Sequence, residues 1–220
     1  MDAALTDKDQ AVLTRFCLTL SVMAGVSYLI AVVLHLSGPM IIVWKGAGVG
    51  FLALYATLKA RDRDGYQIAL ILALGAAGDV VLGIQFVVGA GLFALGHLFA
   101  INFYWRHRRA NLGPSQKLAS LALALCVPII SWQLIGRPDV LFYALILGLM
   151  AAMAWASRFS RYHVGLGAIF FAASDLLIFA RMGPLSGALW VSVGVWSLYY
   201  AGQYLIATGV TQAFVRLRPA

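Results

Sequence analysis

Eight apolar stretches run along the chain, at about Thr14 to Leu36, Gly38 to Leu58, Tyr66 to Ile84, Gly89 to Trp105, Leu118 to Ile135, Val140 to Ser157, Val164 to Ala180 and Ala188 to Val210. Each is close to the ~20 residues a helix needs to cross a bilayer. They are too long and continuous for the alternating strands of a membrane barrel, and a span must close its own backbone hydrogen bonds. The pattern predicts an all-α, polytopic transmembrane bundle of eight spans. It forms one integral membrane domain over residues 1–220 with a short N-terminal segment, 1–13. Punctuation falls between the spans, at Ser37-Gly38-Pro39, Gly113-Pro114, Gly136-Arg137-Pro138 and Gly183-Pro184. Pro128 lies inside the fifth span and predicts a kink there.

Composition agrees with that pattern. Hydrophobic residues make up 62% of the 220 positions and charged residues 11%, which excludes an ordinary soluble domain. The distribution of the 16 Lys and Arg adds a direction. Thirteen fall in or beside one alternating set of loops and termini, from Lys8 and Arg15 to Arg216 and Arg218, whereas Arg137 and Arg181 alone fall in the other set. By the positive-inside rule both termini face the cytoplasm. The net charge of +8 is then a collar touching anionic headgroups, and it implies membrane lipids as partners rather than nucleic acid. The first ten residues lack the basic and apolar regions of a signal peptide, so the first span is expected to act as the insertion signal. Cys17 and Cys126 lie within spans and read as reduced core residues, with no disulfide framework.

Against this apolar background two aspartates stand out in nearly the same wording, Asp79 in GAAGDVVLG and Asp175 in FAASDLLIF. A carboxylate in hydrocarbon costs roughly 2.5 to 3.5 kcal/mol on insertion scales, so such residues are retained where they are used or paired. Counting ~1.5 Å per residue from the non-cytoplasmic end of each span places Asp79, Asp175, Lys45 and His97 in one layer at roughly 8 to 12 Å. The eighth span offers Trp196, Tyr200 and Gln203 at helical spacing. Plainer readings exist for each residue. Lys45 can snorkel, His97 can make a packing hydrogen bond, and Tyr199, Tyr200 and Tyr204 can be packing or interfacial aromatics. Of these tyrosines only Tyr200, with Gln203, is taken as a site candidate. No metal is expected, because a lysine in the same layer opposes a cation and no HExxH or cysteine cluster is present; no cofactor is called for. The matching segments around Asp79 and Asp175, 96 residues apart on spans running the same way, suggest a parallel repeat of a four-span unit.

The segments ALGAAGDVVLG, GLFALGHLFAINFYW, GAIFFAASDLLIF and YYAGQYLIATG, in that order across most of residues 40 to 210, resemble those of the YhhN-like lysoplasmalogenases, small eight-span membrane hydrolases. The family's usual Lys-Pro is Lys45-Gly46 in this chain. The resemblance implies an enzyme that hydrolyses the vinyl ether of a lysoplasmalogen, giving a fatty aldehyde and glycerophosphoethanolamine or glycerophosphocholine. It implies Asp79 and Asp175 as the catalytic pair, Lys45, His97, Tyr200 and Gln203 as substrate-binding or supporting residues, and a multi-pass location in a bacterial inner membrane or the endoplasmic reticulum.

The residues make chemical sense of that activity. Vinyl ethers resist nucleophiles but yield to acid, and two close carboxyls in low dielectric do not both ionise easily, so one can hold a proton while the other stays charged. Which aspartate is the acid is open at this stage, as is whether Lys45 meets an aspartate or a lipid phosphate. Two rival classes share the pattern of intramembrane charge. An ion-coupled transporter would place Asp and Lys at a repeat interface. An intramembrane aspartyl protease would also pair two aspartates, but its Gly-x-Gly-Asp pattern is absent, since position 76 is Ala.

Overall fold

A computed structural model describes residues 7–216. Residues 1–6 of the expected N-terminal segment, and Arg218 of the basic set, lie outside the described residues. The helices are α1 (Asp7–Val33), α2 (Pro39–Lys59), α3 (Arg63–Leu82), α4 (Phe86–Arg106), α5 (Pro114–Ile135), α6 (Pro138–Ala156), α7 (Leu166–Met182) and α8 (Leu189–Arg216), with a π-helical turn, Arg161–Gly165, leading into α7. Among the described residues the sole β-type contact is a single bridge between Arg108 and Ser157.

Local chemistry explains the boundaries. Gly38, at φ 127°, turns the chain ahead of Pro39, which opens α2 where a missing N–H costs nothing. Asp62 accepts from Gly65 N at 2.8 Å and caps α3. Gly136, left-handed at φ 65°, ends α5, and Pro138 begins α6. α5 continues through Pro128; a Cβ on Gly148 of α6 would lie 3.2 Å from Pro128 Cδ, so the glycine makes room for the proline turn.

Among the described residues, α1 to α6 and the stretch Arg161–Met182, seven helices, are long and apolar enough to cross a membrane, and the protein is a multi-pass membrane protein. Large apolar side chains face outward on them, among them Phe16, Met40, Leu70, Ile129 and Phe142, as lipid contact requires and water would not favour. The eighth helix differs. α8 has the length, 28 residues, but Trp196, Tyr199, Tyr200 and Gln203 make it less apolar, and all four are buried. It packs against α1, α2, α3 and α7, so its polar groups face protein rather than lipid. The expectation that both cysteines are core residues holds for Cys17, which is buried, and fails for Cys126, which is exposed on α5. The cause is helix rotation, which a run apolar on all sides does not reveal.

Helix contacts rely on small residues, since lipid removes most of the hydrophobic drive for association. Gly167 of α7 and Gly202 of α8 touch backbone to backbone: a Cβ on Gly202 would lie 2.6 Å from Gly167 O. Gly46 lets α2 close on α3, with a Cβ there falling 2.6 Å from the Val80 Cγ2 methyl, next to Asp79, and 3.2 Å from Ala76 O. These approaches bring the polar groups of neighbouring helices within hydrogen-bonding reach.

Candidate active site

Asp79 sits in the last turn of α3 and is 2% exposed. Lys45 Nζ on α2 lies 3.2 Å from its Oδ1, and the Tyr199 hydroxyl on α8 donates to Oδ2 at 2.6 Å. Gln203, one turn along α8, donates from Nε2 to Tyr199 Oη at 3.4 Å. Gly75, one turn before Asp79, leaves the space: a Cβ there would stand 3.0 Å from Gln203 Nε2. Lys45 is the partly open member, its side chain 25% exposed, and a lysine stem can lie along apolar surface while its ammonium stays on the carboxylate.

Asp175 is held on α7, also buried. Its Oδ2 accepts from the Tyr143 hydroxyl of α6 at 2.7 Å, and Ser174 Oγ lies 3.4 Å from Oδ1. Tyr143 Oη in turn lies 3.3 Å from His97 Nε2 on α4. Asp175 is within electrostatic range of both Asp79 and Lys45.

Aromatic rings fill the volume between the two carboxyl stations. Phe171, one turn before Asp175, packs edge-on against Tyr199, Phe93 and His97, with ring centroids 5.3, 6.0 and 4.9 Å apart. Gly78 admits the Phe93 ring, which a Cβ would meet at 2.7 Å. A cavity of about 30 Å³, lined by residues including Gly75, His97, Phe171 and Gln203, lies beside this cluster. That is room for one water and not for an acyl or alkenyl chain.

Of the residues singled out from sequence, Lys45, Asp79 and Gln203 gather around Tyr199, while His97 and Asp175 gather around Tyr143. Tyr200 goes elsewhere. Its hydroxyl is 2.9 Å from Ser21 Oγ on α1, its ring fills the space left by Gly25, and Trp196 donates to Gly25 O at 2.7 Å. Trp196 and Tyr200 thus fix α8 to α1, and the tyrosine that meets a carboxylate is Tyr199, which sequence reasoning treats as packing. Tyr143 escapes sequence reasoning altogether. Its signal is weak: a hydroxyl inside an otherwise apolar run, FYALIL, with no polar neighbour to mark the face it occupies. Counted from the observed helix ends, Lys45, Asp79, His97 and Asp175 are less level than the span estimates imply. Phe171 joins the two groups nonetheless, through its contacts with Tyr199 on one side and His97 on the other.

Residues 40–210 match the YhhN family. The chain belongs to that family. Among curated proteins it is 29% identical over 180 residues to "Lysoplasmalogenase" of Mycobacterium bovis (strain ATCC BAA-935 / AF2122/97), covering 76% of this chain and 68% of that protein, with the same figures for the "Lysoplasmalogenase" of Mycobacterium tuberculosis (strain CDC 1551 / Oshkosh). No solved structure matches the chain. YhhN membership spans α2 through most of α8, the helices that carry Lys45, Asp79, His97, Tyr143, Asp175, Tyr199 and Gln203.

Proposed function

We propose that this protein is a lysoplasmalogenase, which adds water across the vinyl ether of a 1-alkenyl lysophospholipid to release a fatty aldehyde and the glycerophospho-alcohol. The observation that carries the reading is the pair of buried carboxyls, Asp79 and Asp175, each hydrogen-bonded to a tyrosine, with one ammonium group within electrostatic range of both. Family membership and the named relatives support it.

The chemistry needs two carboxyls in opposite states. One gives its proton to the alkene carbon distal to the ether oxygen, leaving an oxocarbenium ion beside a new carboxylate. The other, already a carboxylate, accepts a proton from water as the water oxygen bonds to the cationic carbon, giving a hemiacetal. The hemiacetal O–H then returns its proton to the first carboxyl, the C–O bond breaks, and the second carboxyl protonates the departing glycerol oxygen. The dyad ends as it began, having consumed one water. Paired carboxyls in glycosidases divide the labour similarly. No nucleophile or oxyanion hole is needed, and no GxSxG elbow is present.

On this reading α8 is the eighth span, both termini are cytoplasmic, the chain is one membrane domain, and α1–α4 and α5–α8 descend from a parallel duplication. The dyad then lies in the outer half of the bilayer, with Lys45 placed to meet the lipid phosphate on entry. Cysteines introduced at the exposed positions Ser37 and Ser186 should react with an impermeant reagent from outside, and those at Ser115 and Arg158 from inside. The reverse pattern overturns the orientation.

The deciding experiment offers the purified protein three lysolipids in micelles. The 1-alkenyl lipid should release aldehyde, the saturated 1-alkyl ether should stay intact, and the 1-acyl ester should be cleaved poorly. Rapid release of fatty acid, lost in Asp79→Asn and Asp175→Asn, would instead indicate a lysophospholipase. Ion-coupled flux without any product would indicate a transporter.

A further inference from the structure

The two carboxyls are held by different kinds of partner. On Asp79 both oxygens face donors, Lys45 Nζ at Oδ1 and Tyr199 O–H at Oδ2. An ammonium has hydrogens and no lone pair to offer. Tyr199 is fixed in the same sense, because the Gln203 amide donates to its oxygen and leaves the phenolic hydrogen for Asp79. Both oxygens of Asp79 already receive a hydrogen, and those bonds are strongest to an ionised carboxyl. This carboxyl is built for its ionised form.

Asp175 is different. Its Oδ2 accepts from Tyr143 at 2.7 Å, but Ser174 Oγ donates to Oδ1 only at 3.4 Å, and a hydroxyl, unlike an ammonium, can turn to accept from a protonated oxygen. Oδ1 is therefore the oxygen that can bear a proton. Charge gives the same answer, since Lys45 supplies one positive charge in the layer and a second, unmatched carboxylate would carry the full cost of a buried ion. His97 completes the arrangement: with the Tyr143 hydrogen committed to Asp175, the 3.3 Å contact is made by His97 Nε2–H donating to Tyr143 Oη, which fixes the imidazole tautomer.

We infer that Asp175 is the proton-bearing acid of the dyad and Asp79 the standing carboxylate, and that Tyr143, steadied by His97, is a positioning residue that turns Asp175 so that Oδ1 presents the proton. Within the vinyl-ether reading on which its catalytic meaning rests, Asp175 Oδ1 protonates the alkene carbon, and Asp79 takes the proton of the attacking water. The layer stays neutral throughout. Before transfer Lys45 balances Asp79, and after it the oxocarbenium ion balances the new Asp175 carboxylate.

The assignment is testable without substrate, by infrared spectroscopy of the protein in lipid nanodiscs. A buried protonated carboxyl shows a carbonyl stretch, separate from the amide bands, that shifts in deuterated water. The wild type should show one such band. Tyr143→Phe removes the donor to the Asp175 carbonyl oxygen and should move the band to higher frequency, whereas Tyr199→Phe should leave it in place. No band in the wild type, a band moved by Tyr199→Phe, or one unmoved by Tyr143→Phe would overturn the assignment. If Tyr143→Phe does not fold, Asp175→Glu against Asp79→Glu answers the same question, since the band should shift to the glutamic acid position only in Asp175→Glu. In turnover, Tyr143→Phe should lower kcat about tenfold with KM little changed, and should displace the alkaline limb of the pH profile while the acidic limb stays put. Failure of aldehyde release in the wild type would sink the enzymatic reading alone. The band pattern would still decide where the proton sits.

Discussion

The two ends of α3 each carry an aspartate beside a cation, and the contrast between them shows what the membrane does to the same chemistry. Asp64, in the first turn, faces Arg106 at 2.6 Å and His107 at 2.9 Å, with its side chain 26% exposed. Gln67 and Asn102 also bond Arg106, so the pair is one part of a polar mesh at the helix ends. Asp79, in the last turn, has a single ammonium at 3.2 Å and is closed from solvent. If one partner of Asp64 is lost, water and the remaining partner can take over. Asp79 has two donors, Lys45 and Tyr199, and no solvent access through which water could replace either, and the cost of burying the ion has no structural return that an apolar residue of similar size would not match. The first cluster ties helix ends together; the second is costly enough that its retention points to use.

The sharpest way to break this contrast is to neutralise each buried carboxyl. Asp79→Asn and Asp175→Asn should each reduce turnover at least ~10²-fold while leaving a folded protein, because proton delivery and water activation belong to separate groups. The double variant should lose little more than either single one, since the two act as a unit. Steady-state aldehyde release with circular dichroism on the same preparations reads both quantities. A variant that kept more than about a tenth of wild-type kcat would remove its carboxyl from the catalytic role.

Next comes the ammonium. Lys45→Met leaves Asp79 without its counter-charge, and breaking a buried pair from one side costs on the order of 3 to 5 kcal/mol unless the remaining group takes up a proton. Asp79 is expected to do so, and turnover falls because no standing carboxylate remains. The infrared spectrum should then gain a second protonated-carboxyl band. A spectrum unchanged from wild type would mean that Lys45 does not hold Asp79 ionised.

Tyr199→Phe should have a smaller effect. A hydrogen bond to a charged group is worth about 1.5 to 3 kcal/mol, and part of that is replaced by the remaining bond from Lys45, so a loss of roughly tenfold in kcat/KM is expected. Tyr200→Phe is the control one position along the chain. It breaks the contact with Ser21 and should lower thermal stability while changing kcat by less than about twofold. Equal kinetic losses in the two variants would blur the distinction between the face of α8 that meets Asp79 and the face that meets α1.

At the other end of α3, Asp64→Asn should cost about 1 kcal/mol or less and leave kcat unchanged, as partly solvated ion pairs generally do. A catalytic defect there would mean that the mesh at the helix ends is coupled to the dyad.

Much of this is legible in the sequence, and what is not has a common cause. Span positions follow from runs of apolar residues and from Gly38, Pro39, Gly136 and Pro138, whose backbone preferences act locally. Buried charges are visible too, because an Asp or Lys in an apolar run is too costly to be incidental. Rotation of each helix about its axis is a different matter. Tyr199 and Tyr200 sit about 100° apart on α8, and only packing against α1 and α3 decides which of them meets Asp79. The exposure of Cys126 and the role of Tyr143 are hidden for the same reason, as α5 and α6 are apolar on nearly every side. On α8 the buried face carries the polar groups, since Trp196, Tyr199 and Gln203 are matched by protein groups while Leu189 and Trp190 are exposed.

The central claim is that Asp79 and Asp175 together move a proton from a buried carboxyl to carbon. Turnover of a 1-alkenyl lysolipid in deuterated water, with mass analysis of the released aldehyde, tests it directly. The dyad mechanism predicts one deuterium on the carbon next to the carbonyl, a normal solvent isotope effect if that transfer limits the rate, and no such product from Asp79→Asn or Asp175→Asn. Aldehyde that carries no solvent deuterium at that carbon, or labelled aldehyde formed at wild-type rate by either variant, would contradict it.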